Sequence, residues 1–157
     1  MALGVLIIVI IVVAILLILY SNSNPAPTNN RFTGTLNGSK VNPPTLSNAI
    51  GQFSGQLIRD QLDYNLIIQS ISDNPVAYIG YGNPKQNGHL LKMLHFKPIN
   101  NLTGTHMYQA KGIWKKTDMC PLTDRAIKEL IAGNLYIQVA NSIYEDGEIR
   151  SQIRRLA

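Results

Sequence analysis

The stretch L-D-Y-N-L-I-I-Q at residues 62–69 sets Leu62, Tyr64, Leu66 and Ile68 on one face of an extended chain and Asp63, Asn65 and Gln69 on the other. Side chains of a strand point alternately to its two faces, so this pattern predicts a strand buried on one side only. The same scheme recurs in both directions along the chain. Phe32, Gly34 and Leu36 alternate with Thr33 and Thr35, and Phe53, Gly55 and Leu57 alternate with Gln52, Ser54 and Gln56. Leu135, Ile137 and Val139 repeat it, and Ile149, Ser151 and Ile153 end it. Clusters of Gly, Asn, Asp and Pro separate these runs, as the turns of a β-sandwich or barrel would.

One segment breaks the two-residue period. Between Leu122 and Ala132, the residues Leu122, Ala126, Ile127, Leu130 and Ile131 fall on one helical face. Thr123 or Asp124 is placed to start this helix and Gly133 to end it.

The N-terminal segment belongs to another physical regime. All 14 Lys and Arg and all 9 Asp and Glu lie at or beyond Arg31. Residues 2–20 are built almost wholly from Leu, Ile and Val, and as a helix they would span roughly 28 Å, the thickness of a bilayer core. Such a segment has no polar face to offer water, so it is expected to be a transmembrane helix, with Tyr20 at the interface. A cleaved signal peptide is the rival, given Ser21 and Ser23; the missing basic n-region and the length of the run favour a retained signal-anchor. Residues 21–30, S-N-S-N-P-A-P-T-N-N, read as a linker, and 31–155 as the folded domain. With only the free amine ahead of the helix and Arg31 and Lys40 behind it, the positive-inside bias leans towards the cytosolic side. Two charges do not fix the orientation.

The formal net charge of +5 suits an anionic surface or an acidic partner. The basic residues are scattered, however, and only Arg150, Arg154 and Arg155 gather locally. Nowhere do cations interleave with stacking aromatics, so nucleic acid is not expected as a partner. Cys120 is the single cysteine, which rules out an intramolecular disulfide.

From Arg31 to Arg154 the sequence resembles the CHRD domain, the repeated module of chordin that also occurs singly in microbial proteins. The carrying stretches are F-T-G-T-L-N-G at 32–38, P-P-T-L-S-N-A-I-G at 43–51, L-D-Y-N-L at 62–66 and N-G-H-L-L at 87–91. The most specific is A-G-N-L-Y-I-Q-V-A-N at 132–141 leading into D-G-E-I-R-S-Q-I at 146–153. The resemblance implies an immunoglobulin-like or superoxide-dismutase-like β-sandwich with no established catalytic activity. Chordin's growth-factor binding is not carried over, because its cysteine-rich modules are absent here. Many family members carry a His-x-His pair before the N-G turn and a further His after the Tyr-rich strand. The corresponding positions here are Tyr78, Gly80 and Ala140. If those histidines bind metal in the family, the ligands are gone here, so no metal or other cofactor is expected.

The remaining candidates favour structural readings. A strand through His89–Phe96 would hold His89 and His95 roughly 20 Å apart, too far for one metal; His106 stands alone. Glu148 and Arg150 are spaced as same-face neighbours on a strand and are expected to form a structural charge pair. No G-x-S-x-G, H-E-x-x-H or phosphate loop is present, and Cys120 has no nearby His. Of the tyrosines Tyr64, Tyr78, Tyr81, Tyr108, Tyr136 and Tyr144, the pair Tyr78 and Tyr81 is the best candidate for a protein contact, and Arg150, Arg154 and Arg155 are further candidates for one. Asn37-Gly38-Ser39 and Asn101-Leu102-Thr103 are glycan acceptors should the domain enter a secretory lumen.

These features favour a non-enzymatic, membrane-anchored interaction or structural module. One version is a minor virion protein bridging an internal membrane and a capsid shell. Another is a cell-surface or secreted binding domain. A divergent metal-dependent enzyme is the lesser alternative, disfavoured by the missing histidines.

Overall fold

The computed structural model describes residues 30–71, 74–99 and 106–156. The expected transmembrane helix at 2–20, nearly all of the 21–30 linker and the sequon at Asn101 lie outside them. Among the described residues no helix is long and apolar enough to cross a membrane.

The all-β expectation holds. Ten antiparallel strands follow in chain order: β1 (Asn30–Asn37), β2 (Ile50–Ile58), β3 (Gln61–Gln69), β4 (Val76–Tyr81), β5 (Leu90–Leu94), β6 (Lys97–Ile99), β7 (Met107–Lys115), β8 (Leu135–Ala140), β9 (Ile149–Gln152) and β10 (Arg154–Arg155). They join one sheet in the order β5-β4-β8-β9-β1-β2-β3-β7-β6, with β10 alongside β1. The chain leaves β5 through His95 and Phe96 straight into β6, so the two ends of this path are covalent neighbours. One continuous sheet therefore curls on itself, and its two halves face each other in a sandwich-like way across a common core.

Period-two patterning puts the expected residues inside. Leu62, Tyr64, Leu66 and Ile68 of β3 are buried, as are Phe32 and Leu36, Phe53 and Leu57, and Leu135, Ile137 and Val139. Trp114 of β7, opposite Leu62, is the largest side chain enclosed, and its indole N–H donates to the Cys120 carbonyl at 2.7 Å. Burying an aromatic ring or a branched aliphatic side chain contributes about 1.5–3 kcal/mol each, so this shared interior carries most of the stability.

The helix, α1 (Asp124–Ala132), starts and stops as expected. Thr123 Oγ1 accepts from the Ala126 N–H, and Gly133 closes the last turn at φ 76°, a left-handed conformation that glycine adopts without penalty. Ala126 and Leu130 bury, whereas Ile131 turns to solvent, so the apolar face is narrower than its spacing suggests. The strand expected through His89–Phe96 is shorter, since β5 covers only Leu90–Leu94. His89, His95 and His106 are all exposed.

Candidate groove on the outer face of the sheet

The outer face of β4, β8 and β9 gathers Tyr78, Tyr136 and Arg150 from the residues singled out above. Register sets Tyr78, Gln138 and Arg150 in one row across the three strands, and Gly80, Tyr136 and Gln152 in the next. Glycine at 80 makes room for the second row, because a Cβ there would meet the Tyr136 ring at 2.5 Å. The Tyr136 ring lies edge-on to Tyr78, with centroids 6.1 Å apart.

The segment between β4 and β5 folds back over these rows. Gly88 permits this by close approach: a Cβ there would come within 1.7 Å of the Tyr81 carbonyl oxygen. Arg150 holds the segment down from beneath. Its guanidinium stacks 3.7 Å from the Tyr136 ring centroid, donates to Asn87 Oδ1, and donates to the Asn83 and Gln86 carbonyls at 2.9 Å each. The side chain is only 1% exposed, yet among the described residues no carboxylate pairs with it. Three neutral acceptors and a π face take the place of a counter-ion. Burial lowers the Arg150 pKa from its ordinary value, opposed by the nearby Tyr136 and Tyr78 phenols. Burial raises the Tyr78 phenol to about 12, reinforced by Tyr136.

The expected Glu148–Arg150 pair does not form. Glu148 accepts from Ser47 Oγ at 2.6 Å and from Asn141 Nδ2 instead. Regular pairing of β9 with β8 begins only at Ile149, after Gly147 at φ 119°, so strand alternation does not reach back to Glu148. Tyr78 and Tyr81 also part company. Tyr78 is half-buried on the outer face, whereas Tyr81 turns the other way, packs against the core and carries the Arg125 guanidinium 6.0 Å from its ring centroid. A single contact surface made by both is therefore not what the strand presents.

Beside the pinned segment lies an open groove of about 500 Å³. Lys40 and Pro44, Pro84 and Lys85, and Arg150 and Arg154 all line it. Among the described residues no Asp or Glu lines it. Asn42 ties the walls together, donating to the Lys85 carbonyl at 2.8 Å while its own carbonyl accepts from Asn87 at 2.7 Å. Arg154 donates to the Gly133 carbonyl at 3.2 Å, and Arg155 is exposed outside the groove. Of the cationic group expected from sequence, Arg150 and Arg154 thus share the groove. Lys40, Lys85 and the two asparagines were not singled out by sequence. The signal available was the polar run G-N-P-K-Q-N-G at 82–88, whose fold-back no local pattern reveals.

The family's histidine positions, Tyr78, Gly80 and Ala140, all lie on this outer face, with Ala140 opposite Val76. Among the described residues no group of three His, Cys, Asp or Glu is placed to hold a metal ion. Asn37, the sequon asparagine among the described residues, ends β1, and its Oδ1 accepts from Ser39 Oγ of the same sequon at 2.8 Å.

Comparison with known proteins agrees with the residues that suggested a family. The model of the CHRD domain matches residues 32–153. No curated protein and no solved structure matches the chain. Over most of its length, and over every strand of the curled sheet from β1 to β9, this chain belongs to the CHRD domain family.

Proposed function

We propose that the chain is a tethered, non-catalytic binding module. In this reading an immunoglobulin-like or superoxide-dismutase-like domain is held at a lipid bilayer by a single transmembrane helix at 2–20, through the 21–30 linker, and docks onto a protein. The groove carries the proposal: it is concave and cationic, and hydrogen bonds of Asn42 and Asn87 tie together the segments that line it. Family membership supports it, as CHRD domains are binding or structural modules rather than catalysts. Within this reading, a minor structural role in a virion, bridging an internal membrane and a capsid shell, ranks ahead of a cell-surface or secreted binding domain. The lone Cys120 and the cations that follow the apolar run favour the first. The sequon at Asn37 favours the second.

Protease protection on intact membranes carrying the full-length chain, read with glycosylation of Asn37 and Asn101, tests both. Digestion from the cytosolic side without glycans is the expected result and supports bridging. Protection with glycans would move the domain to the cell surface. Complete release by alkaline carbonate would overturn the anchor itself.

A further inference from the structure

We infer that the groove is a receptor for an extended acidic segment of a protein partner. This deepens the binding-module reading by naming the chemistry of what is bound. Lys40, Lys85, Arg150 and Arg154 converge on one concavity from three separate parts of the chain, and among the described residues no acidic side chain lines it. Arg150 is satisfied internally and Lys40 and Arg154 meet only carbonyls, so among the described residues no carboxylate neutralises the four, and the groove keeps a positive field that an anionic ligand relieves.

The distribution of donors decides which anion. A lone phosphate or sulfate needs several N–H groups aimed at one point. Here Arg150 spends its donors on Asn87, Asn83 and Gln86, Lys40 spends its ammonium on the Thr35 carbonyl, and Arg154 donates to Gly133. With those donors already engaged, the cations offer charge rather than a cluster of free N–H groups, which suits carboxylates repeated along a chain. Pro44 and Pro84 add apolar wall for the methylene stems of glutamate side chains. Single-stranded nucleic acid is a poorer fit, because Tyr136, the ring nearest Arg150, is wholly buried beneath it and offers no base a stacking platform.

The test is a titration of the full-length chain in zwitterionic detergent with fluorescein-labelled polyglutamate, polyglutamine of equal length, and a sulfated oligosaccharide. Polyglutamate is expected to bind, to weaken with salt, and to outcompete polyglutamine. Lys40→Glu combined with Lys85→Glu should weaken it by about tenfold or more, both side chains being exposed. Lys97→Glu with Lys111→Glu, an equal charge change on exposed residues elsewhere, should leave it within about twofold. Lys85→Gln serves as a second groove variant, since its ammonium has no partner among the described residues and the fold does not lean on it. Equal binding of polyglutamine, equal loss in the two double variants, or groove-dependent binding of the sulfated oligosaccharide without polyglutamate would each overturn the inference. The carbonate and protease experiments fail independently of this titration, so its failure leaves the tethered-module reading standing.

Discussion

Arg150 and Lys92 each aim a cation from a strand into space that the fold largely closes, and the molecule compensates them by opposite means. Arg150, on the outer face of β9, has two backbone carbonyls, one amide oxygen and an aromatic face. Lys92 of β5 pairs in register with Ile79, so it points inward at the seam where the curled sheet meets itself. There it reaches Asp118, just past β7, at 2.7 Å. The contrast follows from the two cations themselves. A guanidinium is flat, carries five donors in a fork and is weakly hydrated, so neutral acceptors and a ring can replace its water. An ammonium is a compact charge that is strongly hydrated, and it needs a carboxylate. An inward charge on an end strand also discourages pairing with another chain, which suits β5 at the end of the path.

The strongest way to break this comparison is at Arg150. Replacing it with Leu should cost about 3 kcal/mol of stability in urea unfolding, through lost charge-assisted hydrogen bonds and a released 82–88 segment. Arg150→Lys keeps the charge but not the fork or the stack, and should still cost about 2 kcal/mol. A lysine variant as stable as the native chain would show that charge alone suffices and would sink the contrast. The next largest effect is expected at Gly88. Its replacement by Ala forces the segment away from the Tyr81 carbonyl, at about 2 kcal/mol, with amide exchange accelerated across 82–88.

Tyr78 sharpens the comparison through pH. Its folded-state pKa, raised to about 12, exceeds the ordinary value of 10.0, so the neutral phenol is the form the fold favours. Its contribution to stability is whole below the ordinary value and is lost as pH rises through the folded one. Unfolding midpoints should therefore drop between those two values in the native chain and drop less in Tyr78→Phe. The smallest effect is expected at the seam. Lys92, as hydrogen-bond donor, holds the Asp118 carboxyl below its ordinary value, helped by the Lys115 N–H. That stability is present above the unfolded Asp value and lost as pH falls through the folded one. Acid titration of Asp118→Asn should lack this step. An unchanged titration would show the seam pair to be idle.

Much of the fold was legible because a half-buried strand writes its burial directly into the period of its residues. Leu62 to Ile68 and Leu135 to Val139 needed no more than alternation to be oriented correctly. The helix was legible from Thr123 and Gly133, whose capping chemistry is local. Alternation failed where its premise failed. Glu148 lies just outside regular pairing, so alternation could not set it on one face with Arg150. Tyr78 and Tyr81 are three positions apart along the strand, so the pleat sends them to opposite faces.

What the sequence determined by itself was therefore the all-β class, the inward faces, the caps of α1 and the likeness to the CHRD domain. Each depends on neighbours along the chain or on motifs preserved in order. The groove, and the burial of Arg150 without a carboxylate, were decided only by tertiary structure. They join residues as far apart as Lys40, Lys85 and Arg154, and their meeting depends on how a curled sheet brings a loop back over its own face. No local period records such a meeting, because the forces that settle it act between parts of the chain that are neighbours only once folded.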